Sequence, residues 1–190
     1  MVSNEEILVN KRNGRGKEAL QIDKIHAMVG FATDGITGVS ASHVEMNSGI
    51  QLFDGISTAD IQQILIKSAN DLITLESPNY QYVAARLLLF SLRKQLFHRL
   101  WDHPKLIDHI KKLIDMGLYD KDILVNYDES EIDRMNMWID HERDYNFTYA
   151  GLRQVMDKYL VQDRSTGEIF ETPQFMYMMI SATLFAQYPK

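Results

Sequence analysis

Cysteine is absent from all 190 residues. Without a thiol the chain cannot form a disulfide, a zinc ribbon or a thiyl radical, and thiolate chemistry is excluded. An excess of positive charge is also missing: 20 Lys and Arg face 26 Asp and Glu, for a net charge of −6. That balance argues against a general nucleic-acid binder, although it leaves room for a local basic patch. No apolar run follows a basic start, so no signal peptide is expected. The longest apolar run, residues 175–186, is too short to span a bilayer. Neither a membrane nor a nucleic acid is therefore expected as a direct partner, and a cysteine-free composition of this kind fits a cytoplasmic protein. Gly14-x-Gly16 lacks the third glycine of a dinucleotide fingerprint. No Ser-His-Asp order is convincing as a triad, which is defined by geometry and not by co-occurrence.

What is present is ordinary for a globular chain, with 45% hydrophobic and 24% charged residues. The length fits one large domain or two small ones. The stretch 9–24, VNKRNGRGKEALQIDK, stands apart. It places Lys11, Lys17, Lys24, Arg12 and Arg15 in an otherwise acidic protein. It reads as strand, turn, strand and the start of a helix, with Asn13-Gly14 as the tight turn. Asp23 is the expected helix N-cap. Backbone N–H groups at a helix start, with lysines beside them, suit a phosphate. A solvated basic hairpin is the plainer alternative for this stretch taken alone.

The remainder is mostly helical. Strands are expected at 7–12 and 17–22, followed by a helix over 24–33 with Ile25, Val29 and Ala32 on one face and Gly35 past its end. Ser42-His43-Val44-Glu45 has the pattern of a capping box for a second short helix. Ser57 and Asp60 fit the cap of a third, over 58–75, whose stripe is Ile61, Ile64, Leu65, Ala69, Leu72 and Ile73. Ser77-Pro78 breaks it. A fourth, over 79–97, turns Val83, Ala84, Leu87 and Phe90 inward and offers Arg86, Arg93 and Lys94 for its polar side. Further helices are expected at 104–116, ended by Gly117, at 120–125, at 130–140 and at 148–158. A hairpin around Asp163–Gly167 follows, then a last helix with Thr172 as N-cap and Pro173 in its first turn. The fold class is thus mainly α with small β-hairpins: a hairpin covered by four helices over 1–100, then a helical region with one short hairpin over 101–190.

That last helix is apolar on nearly every face, which demands burial. The expectation is that its natural surroundings lie outside the chain and that it presents an exposed apolar patch. Asp140-His141-Glu142-Arg143-Asp144 invites a metal, but adjacent helical residues diverge and the H-E-x-x-H spacing is missing, so a capped helix end is preferred. His98 and His103, flanking Trp101, read as structural. The methionines fall mainly at helical core positions, where packing accounts for them.

Five stretches carry a resemblance: VNKRNGRGKEALQIDKIH, FDGISTADIQQILIKSANDLI, PNYQYVAARLLLFSLRK, HERDYNFTYAG and KYLVQDRSTGEIFETPQFMYM. Together and in order, they resemble the N-terminal part of the large subunit of class I ribonucleoside-diphosphate reductases, with phage and gammaproteobacterial members the most similar. The first three resemble the family's ATP-cone, and the last two its helical lead-in to the catalytic barrel. The resemblance implies an allosteric site for ATP or dATP, with Mg2+ as the nucleotide's companion, and no redox cofactor in this chain. It places that site on Lys11, on the segment Glu18, Ala19, Leu20, Gln21, Ile22, Asp23 and Lys24, on Thr58 and on Lys94. Chemistry agrees, since Lys11, Lys24 and Lys94 suit a triphosphate and Glu18 suits donors on a base or ribose. Two departures stand out: Gln62 and Ser91 occupy positions where many bacterial members have histidines, which puts inhibition by dATP in question. The implied partners are the rest of the large subunit and a radical-generating small subunit, in a shared oligomer. Reduction itself needs cysteines that this chain lacks. A stand-alone nucleotide sensor, or an interaction protein that modulates a reductase, is the alternative.

Overall fold

The computed structural model describes residues 7–11, 16–49, 54–98 and 100–188. The expected Asn13-Gly14 turn, with Arg12 and Arg15, lies outside them. The chain divides into two compact units, Met1–Ser91 with Phe147–Ala150, and Leu92–Asn146 with Gly151–Lys190.

The first unit begins with an antiparallel hairpin, β1 (Leu8–Asn10) and β2 (Lys17–Ala19), in the register Leu8↔Ala19, Val9↔Glu18 and Asn10↔Lys17. Alternation buries Val9 and leaves Lys17 exposed. Three helices follow, α1 (Ile22–Thr33), α2 (Ala41–Ser48) and α3 (Thr58–Asp71). The unit also takes in the first part of α4 (Tyr80–Phe97), and the boundary between units falls inside that helix. Its core is built from Val29, Ala32, Val44, Leu65, Ala69, Val83, Ala84, Leu87 and Phe90, all buried. Ser68 ties α3 to α2 by donating its hydroxyl to the Val44 carbonyl at 2.6 Å.

The second unit contains α5 (Leu106–Asp115), α6 (Asp122–Asn126), α7 (Glu129–Trp138), a 3-10 helix over His141–Asn146 and most of α8 (Tyr149–Lys158). A two-residue-per-strand hairpin, β3 (Gln162–Asp163) and β4 (Glu168–Ile169), leads to α9 (Pro173–Leu184). Leu106, Ile107, Ile110, Ile123, Tyr127, Ile132, Phe175 and Ala182 form its core. Gly117 ends α5 at φ 70°, where its N–H reaches the Ile114 carbonyl and that of Leu118 the Leu113 carbonyl. Only glycine takes that left-handed conformation without strain. Asp128 and Glu131 form a complete capping box on α7.

Several sequence expectations change. Helix α1 starts at Ile22 with Gln21 as its N-cap, so Asp23 lies in the first turn instead of capping it, and β2 stops at Ala19. Helix α2 is entered from Ser40, not Ser42, and has no side-chain cap; the Ser40 N–H is taken by the Tyr80 hydroxyl at 3.1 Å. A tertiary donor–acceptor pair there replaces a local one. Helix α3 ends at Asp71, four residues early. Arg93 is buried, because a ring of acceptors inside the second unit receives it. Thr172 does occupy the N-cap of α9, yet its hydroxyl makes no capping bond. Helix α9 buries Phe175, Met176 and Ala182, while Ile180 and Leu184 are 47% and 68% exposed. An all-apolar sequence therefore covers the core with one face and leaves the other to solvent.

Candidate functional site

The site grows from the hairpin. Lys11 follows β1 directly, and its N–H donates to the Gly16 carbonyl at 2.9 Å, closing the ladder. Glu18 faces Val9 across the hairpin, which puts it diagonal to Lys11 on the same face. The two side chains meet as an ion pair, Lys11 Nζ to Glu18 Oε2 at 2.8 Å. The hydrogen bond from Lys11 holds the Glu18 carboxyl below its usual range against desolvation, and the positive charges of Lys11 and then Lys24 add lesser effects in the same direction. Lys24 is therefore close enough to act on Glu18 although no bond joins them.

The start of α3 is brought to the same hairpin. The Asn10 N–H donates to the Ile56 carbonyl at 3.0 Å, and the Gly55 N–H donates to the Leu8 carbonyl at 2.8 Å. The Asn10 amide donates to the Gly55 carbonyl at 2.6 Å, and the Leu8 N–H donates to Asp54 Oδ1 at 3.0 Å. Gly55 turns at φ 89°, and a Cβ there would lie 3.8 Å from the Asn10 amide nitrogen. Ser57, bridged to Asn10, caps α3 by accepting from the Asp60 N–H at 2.9 Å. Thr58 is then the first residue of α3, next in chain to that bridge.

Lys11, Glu18, Lys24 and Thr58 are thus gathered around one hairpin in the first unit. Ala19 completes β2 opposite Leu8, and the Leu20 N–H donates to the Ile7 carbonyl at 2.8 Å. Gln21, Ile22 and Asp23 turn the chain into α1, whose start has no side-chain cap. The Lys24 N–H donates to the Gln21 carbonyl at 3.1 Å, and no side chain caps the N–H groups before it. Lys94 is half-buried on the part of α4 that clusters with the second unit. Sequence reasoning missed Asn10 and Gly55 as the pieces that dock the hairpin; the only signal for them was the turn sequence Asp54-Gly55.

Gln62 and Ser91, the two positions expected to depart from the family pattern, are both buried. Gln62 donates its amide to the Leu87 carbonyl at 2.9 Å. Arg86, expected on a polar face, instead donates to the Asp34 carbonyl at 2.7 Å at the end of α1. Cationic donors suit that end of a helix.

The acidic stretch 140–144 belongs to the second unit and forms a structural network. Asp144 is buried, accepts from the Gln174 amide at 2.8 Å and lies 3.5 Å from the Arg93 guanidinium. Arg93 also donates to the His141 carbonyl at 2.6 Å and to the Tyr145 hydroxyl at 2.9 Å. Burial pushes the Asp144 carboxyl up to about 6, with Gln174 and Arg93 pulling it down. Beside it, the rings of His103 and His141 stack at 3.7 Å, and His109 stacks on Phe175 at 4.4 Å. Burial holds His103 and His109 down at about 4 and His141 at about 3. Among the described residues no three histidines or carboxylates gather as ligands for a metal ion. No described helix is long and apolar enough to cross a membrane.

Residues 7–95 match the family described as "ATP cone domain", and residues 145–189 match "Ribonucleotide reductase, all-alpha domain". Over 187 residues the chain is 48% identical to the ribonucleoside-diphosphate reductase subunit alpha of Haemophilus influenzae, covering 98% of this chain and 24% of that protein. It is 46% identical over 187 residues to the ribonucleoside-diphosphate reductase 1 subunit alpha of Escherichia coli K12, with the same two coverages of 98% and 24%. The corresponding subunit of Enterobacteria phage T4 is 40% identical over 183 residues, covering 96% of this chain and 24% of that protein. The chain thus spans about a quarter of the length of these curated relatives.

Proposed function

Because this chain belongs to the ribonucleoside-diphosphate reductase alpha-subunit family, with an ATP-cone ahead of the all-alpha domain, we propose that it senses ATP or dATP for such a subunit. The nucleotide is an effector and is not transformed. Lys11 and Lys24 bind its phosphates, the segment Glu18–Lys24 adds contacts at the uncapped start of α1, and Thr58 adds a hydroxyl. Mg2+ enters with the triphosphate. Residues 1–100 form the sensor and 101–190 the lead-in. The chain has no cysteine, so in this reading reduction is carried out by the remainder of the large subunit, supplied with a radical by a small subunit in the same oligomer. Gln62, committed to the Leu87 carbonyl, makes the response to dATP differ from that of members with a histidine there.

The observation that carries the reading is the Lys11–Glu18 pair beside Lys24 and the start of α3, on a chain that matches an ATP-cone over 7–95. Calorimetric titration with Mg2+-ATP tests it, and saturable binding is expected. Lys11→Ala is expected to weaken binding at least about tenfold, since a charge-assisted hydrogen bond contributes ~1.5–3 kcal/mol and tenfold corresponds to ~1.4 kcal/mol. A folded protein that shows no saturation at millimolar ATP would overturn the reading.

A further inference from the structure

Resting on that reading, we propose that Glu18 is an exchangeable internal counter-ion: it occupies Lys11 until a polyphosphate displaces it, and so the site opens by exchanging one anion for another. Three observations carry this. Lys11 and Glu18 are in contact at 2.8 Å, with their side chains 41% and 31% exposed. Both are therefore reachable by a ligand, and neither is locked by packing. The pairing is built into the hairpin, because the register Val9↔Glu18 and Asn10↔Lys17 sets the two residues diagonally on one face. Glu18 also lies in the field of Lys24, so one carboxylate faces two ammonium groups and leaves the resting site with an excess of positive charge.

A carboxylate oxygen and a phosphate oxygen compete for the same N–H donors. A phosphate that takes Lys11 must therefore break an existing pair, and the affinity measured is a difference between two anions. A pair this exposed is weak, equivalent to roughly a two- to fivefold change in an equilibrium constant. Exchange is thus within reach of a polyanion while the resting site stays partly neutralised. The ligand class that follows is a di- or triphosphate, whose several negative charges outcompete a single carboxylate.

The probe is inorganic tripolyphosphate, titrated into the whole chain at low ionic strength, where weak anion binding is measurable. Glu18→Gln keeps the shape and removes the charge, and it is expected to strengthen tripolyphosphate binding about two- to fivefold. In a Lys11→Met background the same change is expected to give a clearly smaller gain, because no pair remains to be broken and only the diffuse charge beside Lys24 is removed. Unchanged or weaker binding by Glu18→Gln overturns the exchange. An equal gain with and without Lys11 overturns it too, by reducing Glu18 to a diffuse charge. A wild-type chain that binds ATP while Glu18→Gln shows no gain removes the exchange alone, whereas a wild-type chain that binds no ATP removes the sensor reading itself.

Discussion

Arg93 heads the large side chains that are wholly withdrawn from solvent, and its cost depends on the charge of one neighbour. Asp144 is ionised above the value of about 6 to which burial raises it, and neutral below. Removing the guanidinium therefore strands a buried anion at high pH but not at low pH. Arg93→Met is expected to cost about 3–5 kcal/mol at pH 8, as for a broken buried pair, and clearly less at pH 5. Urea unfolding at the two pH values checks this, and equal losses would mean that Arg93 matters for its volume and not its charge. Gln62 teaches a related lesson. Its type and helix suggest a ligand contact, whereas its amide spends its donor on the Leu87 carbonyl inside the protein.

Among the elements, α3 is the one whose entry holds the candidate site together. Its cap, Ser57, is also the residue that bridges to Asn10 of β1. Ser57→Ala removes the acceptor for the Asp60 N–H and is expected to destabilise the first unit by about 1 kcal/mol. Thermal unfolding measures that loss, and Ser57→Asp, which restores an acceptor, should recover most of it. If the alanine variant melts like the parent, the backbone bridge suffices without the cap. Helix α1 shows the opposite arrangement. Its start has no side-chain cap, and the capping signal read at Asp23 falls two residues too late, because β2 ends at Ala19 and the chain turns at once.

At the level of each whole unit, the buried imidazoles make the second one sensitive to acid. His103, His109 and His141 have an ordinary value of 6.5 and folded values of about 4, 4 and 3. The unfolded chain therefore binds protons that the folded chain refuses. The stability associated with neutral rings is complete above pH 6.5 and is lost as pH falls toward 4. Asp144 acts in the opposite sense, since its raised value favours the folded state at low pH and that contribution fades as pH rises through about 6. Glu171, whose carboxyl burial also raises, acts with Asp144; three imidazoles outweigh these two carboxyls, so the unfolding free energy is expected to drop between pH 6.5 and 4. Replacing both stacked rings, His103→Phe with His141→Phe, should flatten that slope in denaturant unfolding across the range. An unchanged slope would move the acid sensitivity elsewhere.

Much of the chain was legible from short-range signals. The Asn10-to-Ser57 neighbourhood apart, helix positions followed from apolar spacing, and Ser57 and Gly117 start or stop helices through bonds spanning five residues or fewer. Lys11 and Glu18 were named as site residues from a family pattern, but their mutual contact depends on strand register. Arg93 meets His141 and Tyr145, 48 and 52 positions further along the chain. Gln62 meets Leu87, 25 positions away. Local chemistry sets backbone geometry because its partners are always within reach. The burial of a charged or polar side chain is settled by acceptors that arrive only when distant segments pack, and no nearby residue announces them.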